Sequence, residues 1–191
     1  MRIVAGRHRG RRLHAPAGRD TRPTTDRTRE AIFNILAHGG WGADGGSPVE
    51  GAVVLDVFCG TGALGLEALS RGARRALFLD TGRAALEAVR ANVAELGEEA
   101  RATVLRADAT RPPAAREAAT LAFLDPPYGQ DLAPRALTAL ARAGWLAPGA
   151  VIVVEEAASA AVVPPDGVTL LEERRYGDTQ VLFFRHEGTG P

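Results

Sequence analysis

Between residues 52 and 155 the chain alternates short, continuously apolar runs with stretches of helical periodicity. The apolar runs predict strands at Val53–Val57, Ala76–Asp80, Ala102–Arg106, Leu121–Leu124 and Val151–Glu155. The stretches between them predict helices at Ala63–Arg71, Arg83–Leu96 and Leu132–Ala143. Strands without polar alternation are typical of a parallel sheet that helices cover on both faces. The chain is therefore expected to adopt an α/β fold with a mostly parallel sheet.

The end of the chain follows a different pattern. Thr169–Tyr176 and Gln180–Arg185 are strand-like runs on either side of Gly177-Asp178, and no helix fits between them. Two strands joined by so short a turn must be antiparallel. We therefore predict that a hairpin completes the sheet.

The N-terminal segment is strongly basic. Residues 1–30 contain nine Arg and three acidic residues, whereas the rest of the chain carries an excess of six negative charges and the whole chain is neutral. Arg2–Ala5 and Arg11–His14 flank a glycine-bounded turn and predict a two-stranded hairpin. Apolar residues at helical spacing predict a helix over 26–38, with Thr25 as its N-cap. A basic arm on an acidic body indicates a polyanionic partner.

These patterns divide the chain into four parts: the hairpin and helix at 1–38, a glycine-rich linker at 39–51, the main domain at 52–185 and a tail at 186–191. No apolar stretch reaches the length of a membrane span, and the N-terminus has no hydrophobic signal region. One cysteine and four scattered histidines provide neither an intramolecular disulfide nor a zinc ligand set. We expect a cytoplasmic, monomeric protein without a membrane or a metal as partner.

A glycine-rich loop follows the first predicted strand. Gly60, Gly62 and Gly65 let the backbone turn tightly and approach a ligand. Asp80 ends the second strand, 20 residues after Gly60, where a carboxylate can accept hydrogen bonds from ribose hydroxyls. This geometry is equally typical of a nicotinamide or flavin nucleotide and of S-adenosylmethionine. A tight turn that binds nothing is a third interpretation.

Two acidic residues favour S-adenosylmethionine. Asp56 stands at the end of the first strand, where it would repel a pyrophosphate but can position loop amides or the ammonium group of an amino acid cofactor. Asp108 follows the third strand, where it can accept a hydrogen bond from an adenine amino group. An exposed loop aspartate is the alternative interpretation of Asp108.

The fourth strand ends in the most informative tetrapeptide, Asp125-Pro126-Pro127-Tyr128. The two prolines stiffen an extended segment and leave its carbonyls free to accept hydrogen bonds. The Asp125 carboxylate and the Pro126 carbonyl can hold one exocyclic amine, which is a poor nucleophile until it is oriented. Tyr128 offers a face on which an extruded base can stack. Guanine presents N1–H beside its amine, and this favours guanine weakly over adenine or cytosine.

Together these motifs resemble the RsmD family, bacterial methyltransferases that modify a guanine N2 in small-subunit ribosomal RNA. The resemblance extends over nearly the whole chain, in the segments Met1–Gly6 with Arg9–Arg11, Arg22–Thr24, Asp26–Leu36, Asp56–Gly72, Asp125–Tyr128 and Tyr176–Thr179. It implies a Rossmann-like class I methyltransferase fold with seven strands, the last of them antiparallel.

The resemblance also implies roles for individual residues. S-adenosylmethionine would lie over Gly60, Thr61 and Gly62, the ribose on Asp80 and the adenine near Asp108. Arg22 and Thr24 would border the cofactor site. The N-terminal hairpin would bind RNA, and the arginines expected to contact it are Arg7, Arg9, Arg11 and Arg12. Cys59 departs from the small residue common in the family, and we interpret it as a packing residue rather than a nucleophile.

The partner expected from this resemblance is ribosomal RNA or the small ribosomal subunit. Three other functions stay open: an amino methyltransferase that acts on another base such as adenine N6, a nicotinamide-dependent reductase, and a non-catalytic RNA-binding assembly factor. The target amine is paired within an RNA helix, so base flipping or a single-stranded loop is implied.

Overall fold

A computed structural model of the chain describes residues 1–15 and 25–188. Four helices and seven named strands occur in these ranges, in the order α1 (Asp26–His38), β1 (Val53–Val57), α2 (Ala63–Ser70), β2 (Arg75–Asp80), α3 (Arg83–Leu96), β3 (Ala102–Arg106), β4 (Ala119–Leu124), α4 (Leu132–Arg142), β5 (Leu146–Ala157), β6 (Val168–Tyr176) and β7 (Thr179–His186). No helix among them is both long and apolar enough to cross a membrane.

The seven strands form one sheet in the order β3-β2-β1-β4-β5-β7-β6. The first five strands pair in parallel, whereas β7 pairs antiparallel with both β5 and β6. A tight turn joins β6 directly to β7, so these two strands are antiparallel neighbours. The other edge of β7 pairs with β5, and β7 therefore lies between β5 and β6. The predicted α/β fold, with a seven-stranded sheet and an antiparallel last strand, is confirmed.

The continuous apolar runs reflect burial of the sheet on both faces. All five residues of β1 are buried. Val54 belongs to the core beneath α1, α2 and α3, whereas Val53, Leu55 and Val57 belong to the core beneath α4. Because successive side chains of a strand point to opposite faces, a strand covered on both sides is mainly apolar, and Asp56 is the polar exception in β1.

Helix ends agree with their sequence signals more closely than strand ends do. The Thr25 hydroxyl accepts a hydrogen bond from Thr28 N–H at 3.1 Å and caps α1, and Gly97 ends α3 with φ at 70°. The fifth strand, expected at 151–155, begins earlier at Leu146. The register between β4 and β5 shifts beyond Ala119, and this irregularity accommodates the proline and glycine that led us to expect a turn there.

The N-terminal hairpin forms as predicted, with one antiparallel bridge. Ile3 N–H donates to Arg11 C=O and Gly10 N–H donates to Ile3 C=O, both at 2.9 Å. Ile3 and Leu13 are buried and join the core of the main domain. An isolated hairpin is marginal in water, so this packing is what keeps it folded.

A buried carboxylate fastens the hairpin to α2. Glu67 is fully buried, and its oxygens accept hydrogen bonds from Val4 N–H at 2.8 Å and Ala5 N–H at 3.0 Å. It also pairs with Arg71 at 2.7 Å and with the buried guanidinium of Arg29 at 3.6 Å. Removal of one partner from a buried ion pair typically costs about 3–5 kcal/mol. The hairpin, α1 and α2 therefore form one unit.

The glycine-rich segment 39–51, expected to be a loose connection, contains packed residues. The ring of Trp41 lies 5.3 Å from that of Phe183, and Val49 is buried. Gly51 N–H donates to Gly72 C=O at 3.0 Å. The apolar packing of Trp41 and Val49 stabilises this segment against the main domain despite its glycines.

Candidate active site

The loops that carry the predicted site residues lie at one edge of the sheet. Strands β3, β2, β1 and β4 are consecutive parallel neighbours, so their carboxyl ends lie side by side. Gly60 follows β1, Asp80 ends β2, Asp108 follows β3 and Asp125 follows β4. The direction of strand order reverses at β1, and open α/β sheets bind ligands in the crevice at such a point. The structure thus brings Gly60, Asp80, Asp108 and Asp125 to the same edge of the sheet, where such a crevice is expected.

The three glycines after β1 have different roles. A Cβ on Gly62 would lie 2.5 Å from Val89 Cγ2, and one on Gly65 would lie 2.5 Å from a ring carbon of Phe78. These two glycines therefore let α2 pack closely on the sheet and on α3. Gly60 has φ at +52°, and a Cβ there would meet no atom nearer than 4.0 Å. The open side of Gly60 is where a ligand can approach the backbone.

Asp80 shapes this loop as well as facing the crevice. Its Oδ2 accepts a hydrogen bond from Gly60 N–H at 3.1 Å, and its Oδ1 accepts one from Gly82 N–H at 2.7 Å. The residue is half-buried. A carboxylate has about four acceptor sites, so Asp80 keeps capacity for two further donors such as ribose hydroxyls.

Asp108 is exposed and held by its own turn. Its Oδ1 accepts hydrogen bonds from the hydroxyl of Thr110 at 2.7 Å and from Thr110 N–H at 2.8 Å. These two bonds lower the pKa of Asp108 below its ordinary value. The side chain is therefore an ionised acceptor at the crevice edge, beyond the end of the strand next to β2.

Asp56 lies beneath the loop rather than in the crevice. It is buried, and its Oδ2 accepts a hydrogen bond from Gly65 N–H at 2.8 Å. Burial is the main cause that raises the pKa of Asp56 to about 8, and the nearby Asp80 raises it further. Of the two roles that the sequence suggested for Asp56, this position favours the binding of a loop amide.

Cys59 is buried between these carboxylates. Burial, followed by the charges of Asp56 and Asp80, raises the pKa of the Cys59 thiol well above its ordinary value. A thiol that resists ionisation is a poor nucleophile. The position therefore favours a packing role for Cys59.

The tetrapeptide after β4 is anchored by its tyrosine. Asp125 is half-buried and Pro126 is buried, whereas the ring of Tyr128 is 36% exposed. The Tyr128 hydroxyl donates to Glu155 Oε1 at 3.3 Å and lies 3.2 Å from the hydroxyl of Thr179. Partial burial is the largest cause that raises the pKa of Tyr128 to about 12, and the carboxylates of Glu155 and Asp125 add to it. Tyr128 is thus neutral, oriented by its hydroxyl and partly exposed.

Three residues near the site were not predicted to belong to it. Glu155 and Thr179 anchor Tyr128, whereas the sequence indicates only a hairpin turn before Thr179. Asn92 is buried and bonds to the backbone of both His14 and Thr61. In the sequence, Asn92 stands out only as a polar residue on the otherwise apolar face of α3. This position does not reveal its hydrogen-bond partners.

The basic hairpin meets acidic residues near the end of α3. Arg7 pairs with Glu98, which also lies 2.5 Å from His8 Nε2, and Arg11 donates to Glu95 C=O at 2.8 Å. His14 Nε2 lies 2.6 Å from a carboxylate oxygen of Glu95. Half of the arginines expected to contact RNA are therefore engaged within the protein. Arg9 and Arg12 are exposed and form no ion pair with another described residue.

Two predicted cofactor residues, Arg22 and Thr24, lie outside the described residues. Within residues 1–15 and 25–188, no group of three or more His, Cys, Asp or Glu side chains is placed to hold a metal ion. The edge of the sheet described above carries the glycine loop, the carboxylates of Asp80, Asp108 and Asp125, and the anchored ring of Tyr128.

Comparisons with known proteins agree with this architecture. Residues 1–185 match the family model described as Conserved hypothetical protein 95. The chain is 38% identical to ribosomal RNA small subunit methyltransferase D of Escherichia coli K12, over 80% of this chain and 72% of that protein. It is 35% identical to YlbH of Bacillus subtilis, over 98% of this chain and all of YlbH.

Solved structures show the same likeness. The structure of yhhF from Escherichia coli superimposes with a TM-score of 0.82 at 34% identity and covers 99% of both chains. Together with the family match and the identity to methyltransferase D, this shows that the chain belongs to the RsmD family of class I methyltransferases.

Proposed function

We propose that this protein transfers a methyl group from S-adenosylmethionine to the exocyclic N2 amine of a guanine in small-subunit ribosomal RNA. The observation that carries the proposal is the pairing of β1 with β4, in which Val57 lies opposite Leu124. This pairing places the glycine loop and the Asp125 tetrapeptide next to each other at the same edge of the sheet. The relatives named as methyltransferase D support ribosomal RNA as the substrate.

Three features of this edge of the sheet support S-adenosylmethionine as the cofactor. The open side of Gly60 admits a ligand to the backbone, and Asp80 keeps acceptor capacity for ribose hydroxyls. Asp108 would accept from the adenine amino group. Asp56 is buried and bonds to Gly65 N–H, so it supports the loop from beneath instead of placing a second charge beside the cofactor. By resemblance to the family, Thr61, Arg22 and Thr24 complete the cofactor site.

The residues after β4 would hold the amine for an in-line displacement. The Asp125 carboxylate and the Pro126 carbonyl accept its two N–H bonds, which orients the nitrogen lone pair. The cofactor supplies an electrophilic methyl group on a sulfonium. Asp125 and Pro126 would hold the amine nitrogen in line with that methyl group, the thioether would be the leaving group, and the amine proton would pass along its hydrogen bond to Asp125. The exposed face of Tyr128 stacks on the flipped base.

Labelled methyl transfer to small ribosomal subunits that lack the modification tests the proposal. We expect incorporation into a single guanine, identified as N2-methylguanine by nucleoside mass spectrometry. An N6-methyladenine product would instead support the adenine methyltransferase. Tight binding of NADH without binding of S-adenosylmethionine would support a reductase, and RNA binding without methyl transfer would support an assembly factor.

A pair of matched variants tests the role of Asp125. Asp125→Asn removes a charged acceptor, and we expect turnover to fall by about 100-fold or more while S-adenosylmethionine binding is retained. Asp131→Asn changes an exposed aspartate six residues further along the same loop and should behave as wild type. Equal activity of the two variants would show that Asp125 does not hold the amine.

A further inference from the structure

We propose that Asn92 is a positioning residue for the cofactor loop and joins that loop to the N-terminal hairpin. The inference rests on the proposed function, in which the glycine loop binds S-adenosylmethionine and the hairpin binds RNA. Asn92 is 1% exposed, so it meets neither ligand directly and acts through the backbone of its two partners.

The side-chain amide of Asn92 contacts two segments that are far apart in sequence. Its Oδ1 accepts a hydrogen bond from His14 N–H at 2.7 Å, and its Nδ2 donates to His14 C=O at 3.0 Å. The same Nδ2 donates to Thr61 C=O at 2.9 Å. All three distances are within the ordinary range for strong hydrogen bonds. A single amide therefore fastens the returning strand of the hairpin to the centre of the glycine loop.

The bond to Thr61 controls the orientation of the loop. The Thr61 carbonyl and the Gly62 N–H belong to one rigid peptide plane. Gly60 and Gly62, on either side of Thr61, both have positive φ, and glycines rotate with little steric restraint. The loop consequently depends on hydrogen bonds to keep its shape: Gly62 N–H bonds to Cys59 C=O at 2.7 Å, Gly60 N–H bonds to Asp80, and Asn92 holds the peptide between the two glycines.

Ser70 provides a matched control. It is buried like Asn92 and also fastens the hairpin, since its hydroxyl accepts from His8 N–H at 3.0 Å and donates to Ala5 C=O at 2.6 Å. Ser70 lies on α2, and none of its hydrogen bonds reaches the glycine loop. Loss of the Ser70 hydroxyl should loosen the hairpin alone, whereas loss of the Asn92 amide should loosen the hairpin and the loop.

The test compares wild type, Asn92→Ala, Asn92→Asp and Ser70→Ala in the full chain. Calorimetry gives the Kd for S-adenosylmethionine, and methyl transfer to unmodified small subunits gives KM and kcat. For both Asn92 variants we expect the Kd and KM of S-adenosylmethionine to rise by about tenfold, the equivalent of one lost hydrogen bond. The kcat at saturating substrates should change far less, because Asp125 and Tyr128 stay in place. Ser70→Ala should bind S-adenosylmethionine within about twofold of wild type, by the same affinity scale.

Asn92→Asp is a second test of the inference that can be used if the alanine variant does not fold. It has nearly the same volume and keeps an acceptor for His14 N–H, but it lacks the donors toward Thr61 and His14. Circular dichroism and an unfolding curve for each variant show whether it is folded. If either folded Asn92 variant binds S-adenosylmethionine as tightly as Ser70→Ala does, the inference is overturned. Failure of wild type itself to bind the cofactor or transfer methyl groups overturns the proposed function, and it is recognised before any variant is compared.

Discussion

The hydroxyl of Tyr128 lies 3.2 Å from the hydroxyl of Thr179, although 51 residues separate them in the chain. The Tyr128 hydroxyl has a single proton, which it donates to Glu155, so it accepts from the hydroxyl of Thr179. Each partner thus has one defined role. The exposed ring is held at its far end by groups from β5 and β7, which are neighbouring strands.

This anchor predicts a graded series of effects on kcat/KM. Tyr128→Ala removes the stacking face and should cost about 1–3 kcal/mol of transition-state stabilisation. Tyr128→Phe keeps the ring and should lose less. Thr179→Val should lose no more than Tyr128→Phe, because it keeps the hydrogen bond between Tyr128 and Glu155. Thr179→Ser keeps the hydroxyl and should resemble wild type. The double variant Tyr128→Phe/Thr179→Val should be no worse than Tyr128→Phe alone, because phenylalanine has already lost the contact with Thr179. Additive losses would contradict the anchor.

Alanine is expected to affect stability at Gly62 and cofactor binding at Gly60. Gly62→Ala places a methyl group against Val89 at a position with φ at +75°, so it combines overpacking with backbone strain. Its unfolding midpoint should fall more than that of Gly60→Ala, which carries only the backbone strain of about 1–2 kcal/mol. Gly60→Ala should instead weaken S-adenosylmethionine binding, because its methyl group projects into the open side of the loop. Thermal unfolding and calorimetry measure the two effects, and equal midpoints would contradict the assignment.

The buried Asp56 predicts a pH dependence of stability. Its pKa is about 8 in the folded protein, against 3.8 for the free group, so between these values the folded state holds a proton that the unfolded state releases. The free energy of unfolding should therefore fall as pH rises through this window, by up to about 1.4 kcal/mol per pH unit.

Asp56→Asn removes this contribution and keeps an acceptor for Gly65 N–H. Urea unfolding at pH 5 and pH 8 should therefore show a smaller loss of stability in the variant than in wild type. Parallel behaviour of the two proteins across this range would show that Asp56 is ionised when folded.

The charge pairing of the hairpin predicts unequal contributions of its arginines to RNA binding. Each phosphate contact on single-stranded nucleic acid contributes about 0.7 to the slope of log K against log salt. The double variant Arg9→Ser/Arg12→Ser should therefore reduce the slope by about 1.4. Arg7→Ser/Arg11→Ser should reduce it less, because Glu95 and Glu98 already compensate these charges. Filter binding between low and moderate salt measures both slopes, and equal reductions would refute the difference.

Much of the fold was predictable because local signals and burial agree. Helices α1 and α3 have the predicted bounds, since a threonine cap begins the first and a glycine ends the second. The β1 strand also has its predicted bounds, because burial on both faces leaves a run that is apolar except for Asp56. The early start of β5 was missed, since Pro148 and Gly149 indicate a turn unless the irregular register with β4 is known.

The site was predictable where the sequence carries a motif, and not where it depends on contacts across the chain. The glycine loop and the Asp125 tetrapeptide are each contiguous, so their residue types indicate their chemistry. Asn92 and Thr179 act on residues 31 and 51 positions away, and only the folded chain pairs them. The internal neutralisation of Arg7 and Arg11 was equally hidden, because the net charge of a segment does not show which charges meet.

The ladder between β1 and β4 has a consequence for how this enzyme can diverge. Adjacent strands lie about 4.8 Å apart whatever side chains they carry. The methyl donor and the methyl acceptor are proposed to bind to the loops that follow two such strands. These loops begin after Val57 and Leu124, which pair with each other in the sheet. Mutations in either loop can therefore alter which nucleotide is recognised, while the main-chain geometry keeps the two reactants within reach of each other.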